Sequence, residues 1–159
     1  MANTKKKKAD TSSTIVLNKK ARHDYHIEDR FEAGLVLEGW EVKSLRGKKI
    51  QILDSHIHMQ NGEAWLVAAV ITPLPTVSTH IFPNKTRARK LLLHTHELAK
   101  LSAAVERKGY TIVPTAMYWV KGRAKIEIGL AKGKQAHDKR AASKERDWGR
   151  EKSRILKGR

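Results

Sequence analysis

Two histidine pairs, His56/His58 and His94/His96, have the spacing of metal ligands. On a strand, residues two apart face the same side, so each pair could chelate zinc and leave a position open for water. The chemistry goes little further. His94 and His96 precede a predicted helix, and no carboxylate near either pair in sequence suggests itself as a general base. The chain has no cysteine, which removes thiolate ligands, thiol catalysis and disulfides together. A second arrangement is richer. Gly133-Lys134-Gln135-Ala136-His137-Asp138-Lys139-Arg140 sets cations beside a histidine and an aspartate, and Arg146, Arg150 and Arg154 then recur every four residues. That is the chemistry of gripping a polyanion, since each Lys or Arg that neutralises a phosphate releases a condensed counterion. Trp148 stands among these charges, able to stack on a base or to pack into a groove.

The formal net charge is +17. It sits mostly at the two ends: residues 1–24 contribute +5 and residues 131–159 contribute +7, leaving +5 for the long body between. Nucleic acid is therefore the leading partner and an anionic membrane surface the second. No apolar run approaches the roughly 20 residues needed to span a bilayer. No apolar segment of about 7–15 residues follows the basic start, so no signal peptide is read. The expectation is a cytoplasmic monomer.

The elements that must hold these residues are mostly strands. Tyr25 to Glu28 and Leu35 to Glu38 are short candidates around Phe31. His56 to Gln60 alternates, Asn61-Gly62 supplies a two-residue hairpin turn, and Ala64 to Ile71 returns until Pro73 and Pro75 end it. Tyr110 to Val120 and Ala124 to Leu130 form a second hairpin at Lys121-Gly122, with Ala124, Ile126, Ile128 and Leu130 inward and Lys125 and Glu127 outward. Two helices interrupt them. Trp40 to Arg46 buries Val42 and Leu45 and ends at Gly47. Glu97 to Lys108 buries Leu98, Leu101, Ser102 and Val105, with Thr95 as cap and Gly109 as stop.

These elements predict a mainly β fold: a six-stranded antiparallel oligonucleotide-binding barrel (OB-fold) with two or three short helices and a basic C-terminal tail. Three segments follow. Residues 1–13 are expected to be a disordered basic arm, 14–131 the nucleic-acid-binding barrel, and 132–159 the tail. In the tail, Ala141, Trp148 and Ile155 repeat every seven residues with Leu156 beside them, a face too weak to bury itself. The tail is expected to be disordered when free and helical when a partner supplies a surface.

Two blocks carry a family resemblance. One is Phe31-Glu32-Ala33-Gly34-Leu35-Val36-Leu37-Glu38-Gly39-Trp40-Glu41-Val42-Lys43-Ser44-Leu45-Arg46; the other is Gly129-Leu130-Ala131-Lys132-Gly133-Lys134 with His137-Asp138-Lys139-Arg140. With Leu17 to Arg22, Thr86 to Leu93 and Gly109-Tyr110-Thr111, they resemble the small protein B family. These are the tmRNA-binding (SsrA-binding) proteins of bacterial trans-translation. The resemblance runs in order from about Asn18 to Leu156.

It implies an adaptor rather than an enzyme, with no cofactor. The barrel would clasp the tRNA-like domain of tmRNA in place of a missing anticodon arm and deliver it to a stalled ribosome. The tail would meet small-subunit ribosomal RNA at the decoding centre and lie in the empty mRNA channel, while elongation factor Tu would join through the tmRNA complex. Translation would resume on tmRNA's own reading frame and tag the nascent peptide for proteolysis. By position, the resemblance places Asn18, Lys19, Arg22, Tyr25, Glu32, Lys43, Arg46, Lys90 and Leu92 on the RNA. It places Lys132, Gly133, Lys134, His137, Asp138, Lys139, Arg140, Trp148, Ile155 and Leu156 in the decoding centre and channel. Among the first set the lysines and arginines suit phosphates, whereas Asn18, Tyr25 and Glu32 suit selectivity. The competing expectation is a generic ribosomal or RNA-chaperone protein that binds many RNAs alike.

Overall fold

In the computed structural model, residues 13–77, 80–107, 109–134 and 136–158 are described, those at 136–138 and 142 without their side chains. The expected arm, 1–13, lies outside these residues except for Ser13.

The chain runs β1 (Thr14–Leu17), α1 (Lys19–Asp24), β2 (Tyr25–Leu35), α2 (Gly39–Arg46), β3 (Ile50–Gln51), β4 (His56–Gln60) and β5 (Glu63–Val67). It continues with β6 (Val70–Ile71), β7 (Arg89–Leu92), α3 (Thr95–Val105), β8 (Tyr110–Val120), β9 (Arg123–Gly133) and α4 (Ala136–Lys157). Antiparallel pairing leads from β8 through β4, β5, β7, β2 and β9, and β9 pairs with β8 again. Six strands therefore close a ring. β1 adds to the far end of β8, and β3 pairs with β6 as a separate ribbon. Two seams of the ring are short: β4 meets β8 only at Ile57 and Ile112, and β2 meets β7 only at Gly34 and Leu35. Ile57, Leu66, Leu91, Ile112, Met117, Ile126 and Ile128 fill the core, with Trp40 and Leu45 of α2 and Leu101 of α3 packed into the same cluster.

The hairpins follow their turn residues. Asn61 and Gly62 have φ of 52° and 73°, and Lys121 and Gly122 have 49° and 75°. Two consecutive positive φ values are what a two-residue turn between right-twisted strands requires. Elsewhere the structure corrects the reading. The strand expected at Tyr25 to Glu28 runs on to Leu35, 11 residues in all, because β9 pairs with it almost end to end, across a bulge between Ile27 and Asp29; of the second expected strand, Val36 to Glu38 lie outside any strand. The polar run Glu28-Asp29-Arg30 concealed that continuity. The expected Ala64–Ile71 strand breaks at Ala68, where φ is 64°, so that Val70 and Ile71 leave the ring and pair with β3.

The helix ends differ too. α3 begins at Thr95, and His94 is its N-cap, with its amide donating to Glu97 Oε2 at 3.0 Å. Leu101 and Ala104 are its buried residues and Val105 is exposed, so the inner face is turned from the one expected. At the end of α2, Gly47 has an ordinary φ of −83°, and the positive φ falls on Lys48. Gly129 is required for a different reason: a Cβ there would lie 2.7 Å from Ile27 Cγ2.

An ion network unforeseen in the sequence ties α2 to the ring. Glu41, fully buried, accepts from Arg87 Nε and Nη2 at 2.7 Å each and from Arg89 Nε at 3.0 Å. Arg89 is also fully buried and donates to the carbonyls of Ala69 and Lys85. Burial pushes the Glu41 carboxyl up, but Arg87, the Glu38 amide and Arg89 outweigh it and hold it below the ordinary 4.5. Glu41→Ala strands Arg89 without its charge partner and is expected to cost about 3–5 kcal/mol in urea unfolding. Because the folded-state value is depressed, the carboxylate's contribution is complete above about pH 4.5 and is lost as pH falls through that lower value.

Candidate nucleic-acid interface

The first cluster forms around α1. Asn18 is only 2% exposed. Its Oδ1 accepts from the Ala21 amide at 3.0 Å, and its Nδ2 donates to Pro114 O at 2.8 Å and Ile52 O at 3.3 Å. The side chain caps α1 and ties it to β8. Its amide donors are thus spent inside the fold rather than turned toward solvent. What it positions is the helix, whose Lys19 and Arg22 are exposed and whose end passes into half-buried Tyr25, packed on Ala21, Val113 and Ala131. Lys20, by contrast, is paired with Asp54 at 2.6 Å.

The tail is rooted on the same helix. β9 runs to Gly133, opposite Tyr25, so the strand extends past the expected boundary at 131. Lys132 is exposed, with Nζ 5.6 Å from the centre of the Tyr110 ring. The Lys134 amide donates to Asp24 O at 2.8 Å and its Nζ to Arg22 O at 3.1 Å. Lys139 approaches the Asp24 carboxylate at 3.4 Å, and His23 Nδ1 lies 3.0 Å from the same oxygen. The His23 hydrogen bond holds Asp24 below the usual carboxylate range; burial opposes it, and Lys139 adds to the lowering. Between α1 and α4 lies a cleft whose lining is mostly cationic, Lys19, Arg22, Lys134, Arg146 and Arg150, with His23 and Glu145 among them.

Along α4 Arg140 is exposed, as are Trp148, Ile155 and Leu156 at 67%, 63% and 69%. Such values mean that little of the helix's apolar face is covered. The side chains of His137 and Asp138 lie outside the described residues.

The second cluster needs the ring to exist. Cross-strand partners run in one row over four strands: Leu92 on β7 faces Gly34 on β2, Gly34 faces Lys125 on β9, and Lys125 faces Tyr118 on β8. Directly paired residues share a face of the sheet. Leu92 is 54% exposed while Leu91 is 2% exposed, so Leu92 belongs to the outer face and not to the core. Gly34 keeps the row close: a Cβ there would stand 3.3 Å from Leu92 Cβ and 3.7 Å from Lys125 Nζ. One step along β2, exposed Glu32 lies opposite Glu127. Like charges directly opposed repel, and each carboxylate has its own donors. Tyr118 Oη donates to Glu32 Oε2 at 2.5 Å, while Arg30 at 3.2 Å and the Thr115 hydroxyl at 2.7 Å serve Glu127. Burial first, then the Glu32 carboxylate, pushes the Tyr118 phenol far above its ordinary range, so it stays a donor. A groove beside the row is lined by Leu35, Val42, Leu92, Trp119, Arg123 and Lys125.

Of the remaining expected contacts, Lys43 and Arg46 are exposed on α2, and Lys90 on β7 is half-buried and paired with Glu63 at 2.8 Å. The structure thus brings Glu32 and Leu92 to one face, and gathers Lys19, Arg22 and Lys134 at the tail root. Lys125 and Tyr118 are the additions. Their signal was in the Lys121-Gly122 turn: a two-residue hairpin pairs Val120 with Arg123, and counting back sets Tyr118 against Lys125. The histidine pairs do not build a metal centre: the rings of His94 and His96 stack at 5.6 Å and 8°, and no group of three ligand side chains converges among the described residues. No described helix is long and apolar enough to cross a membrane.

A closed antiparallel ring with cations on its helices, a polar row on its outer face and a basic helical tail defines a polyanion-binding barrel protein. The chain belongs to the SmpB protein family, whose model matches residues 15–158. It is similar to an SsrA-binding protein of Stenotrophomonas maltophilia, 58% identical over 96% of this chain and 92% of that one. One from Alkalilimnicola ehrlichii is 55% identical over 96% and 95%. Among solved structures it resembles a chain from "tmRNA-SmpB: a journey to the center of the bacterial ribosome", with a TM-score of 0.64 and 44% identity, over 76% of this chain and 85% of that one.

Proposed function

We propose that the protein is an RNA-binding adaptor that holds the tRNA-like domain of tmRNA and delivers it to stalled ribosomes for trans-translation. The observation that carries this reading is the family match over residues 15–158 together with the outward face that sets Glu32 beside Leu92 and Lys125. The row offers carboxylate acceptors for exocyclic amines or 2′-hydroxyls, one apolar side chain and a cation; α1 and α2 offer phosphate grip. The tail would then enter the decoding centre and the empty mRNA channel, its root held at Asp24. There a surface would cover Trp148, Ile155 and Leu156, which the fold leaves bare, and in free protein the helix would fray. The work is done in the cytoplasm, by shape mimicry and electrostatics.

A competition experiment tests the reading. Labelled tRNA-like domain is bound to the protein at physiological salt and challenged with elongator tRNA. Poor competition by tRNA supports the adaptor. Equal competition reduces the protein to a generic RNA binder, because phosphate contacts alone carry no selectivity. Replacing Trp148, or Ile155 and Leu156 together, is expected to lower peptide tagging at least tenfold and leave RNA affinity within a factor of about two, as removal of packing residues does when none of them touches phosphate. An affinity loss as large as that of a ring variant would put the tail on tmRNA instead.

A further inference from the structure

Glu32 is the carboxylate best placed to select among RNAs, yet it stands on an exposed strand face where, unheld, its three side-chain torsions would be free. A free carboxylate must lose that rotamer entropy when it binds. In this fold the loss has been met in advance. Tyr118 reaches over β9 from β8, two strands away, and its hydroxyl holds Glu32 Oε2 at 2.5 Å. The phenol is set by its own surroundings: it is half-buried, it faces Lys125 across the hairpin, and the neighbouring Met117 is locked in the core. An ionised carboxylate has about four lone-pair sites, so one bond from Tyr118 leaves capacity for RNA donors.

We propose that Tyr118 is a positioning residue for RNA recognition: its hydroxyl fixes the Glu32 carboxylate in the orientation that receives RNA amine or 2′-hydroxyl donors. This rests on the reading of Glu32 as an RNA contact. It predicts that the phenol acts only through Glu32, so that a variant lacking the hydroxyl is silent once Glu32 can no longer respond.

The experiment is a double-mutant cycle with Tyr118→Phe and Glu32→Ala, measured against the tRNA-like domain and elongator tRNA at physiological salt. Tyr118→Phe alone is expected to weaken the tRNA-like domain about 3- to 10-fold, the range of one hydrogen bond, and to leave tRNA binding and the thermal midpoint unchanged. In the Glu32→Ala background the same change is expected to do nothing further, since no acceptor remains for the hydroxyl to hold. Glu32→Asp is the second route, since a carboxylate shorter by one methylene keeps its charge but loses the bond; it too should make Tyr118→Phe silent. An equal loss from Tyr118→Phe in every background overturns the proposal, as does a neutral Tyr118→Phe beside a damaging Tyr118→Ala, which would mean that the ring itself packs on RNA. If Glu32→Ala has no effect while wild type still discriminates against tRNA, the role of Glu32 fails and the proposal with it. If wild type does not discriminate at all, it is the adaptor reading that has failed.

Discussion

A chain cut after Lys134 should still bind the tRNA-like domain within a factor of about three at physiological salt, with an unchanged slope of log K against log salt. Peptide tagging on stalled ribosomes should fall below detection. The cut is placed there because β9 runs to Gly133 and Lys134 bonds back to α1, so an earlier cut would damage the ring as well. The slope is the discriminating quantity. Each phosphate contact contributes roughly 0.7 to 0.9 to it, and the removed segment is densely basic. If its arginines gripped tmRNA, the slope would drop by several units and the affinity with it. A truncated protein that still tagged would end the decoding-centre role.

The second large effect is expected at Glu32. Glu32→Ala should lose about 10- to 100-fold in affinity for the tRNA-like domain, the range of one or two hydrogen bonds to a charged group. The sign is informative because it opposes simple electrostatics. Removing a negative charge from a protein of net charge +17 should strengthen attraction to any RNA. Elongator tRNA should therefore bind as well or slightly better, and the ratio between the two RNAs should collapse. Equal gains for both RNAs would show that Glu32 makes no specific contact.

Much of this fold was legible because its hairpins are local. Asn61-Gly62 and Lys121-Gly122 each fix a register within a few residues, and the alternation of Ala124 to Leu130 told inside from outside. What escaped was set by partners distant in sequence. β2 reads as ending at Glu28 until β9 pairs with it across Asp29 and Arg30. α1 is six residues long, too short for periodicity, and its one signal was Asn18, whose capping role the family resemblance obscured. The Glu41–Arg87–Arg89 network is a pattern of ordinary surface residues until the fold encloses it. The candidate site divides the same way. Cations on α1, α2 and the tail could be read from charge, but the alignment of Leu92, Gly34, Lys125 and Tyr118 exists only because four strands close side by side.

β9 carries Lys125 and Glu127 near one end and becomes the tail's root at the other, with a single run of strand between. Because successive residues of a strand face opposite ways, losing or adding one residue in that run would turn the outer row inward or swing the tail's exit to the other face. The length of this segment is thus close to fixed, whereas α4 beyond it could lengthen or shorten by whole turns and keep its stripe. Divergence in size among proteins built on this plan should accumulate past the strand, in the helix, and almost never within it.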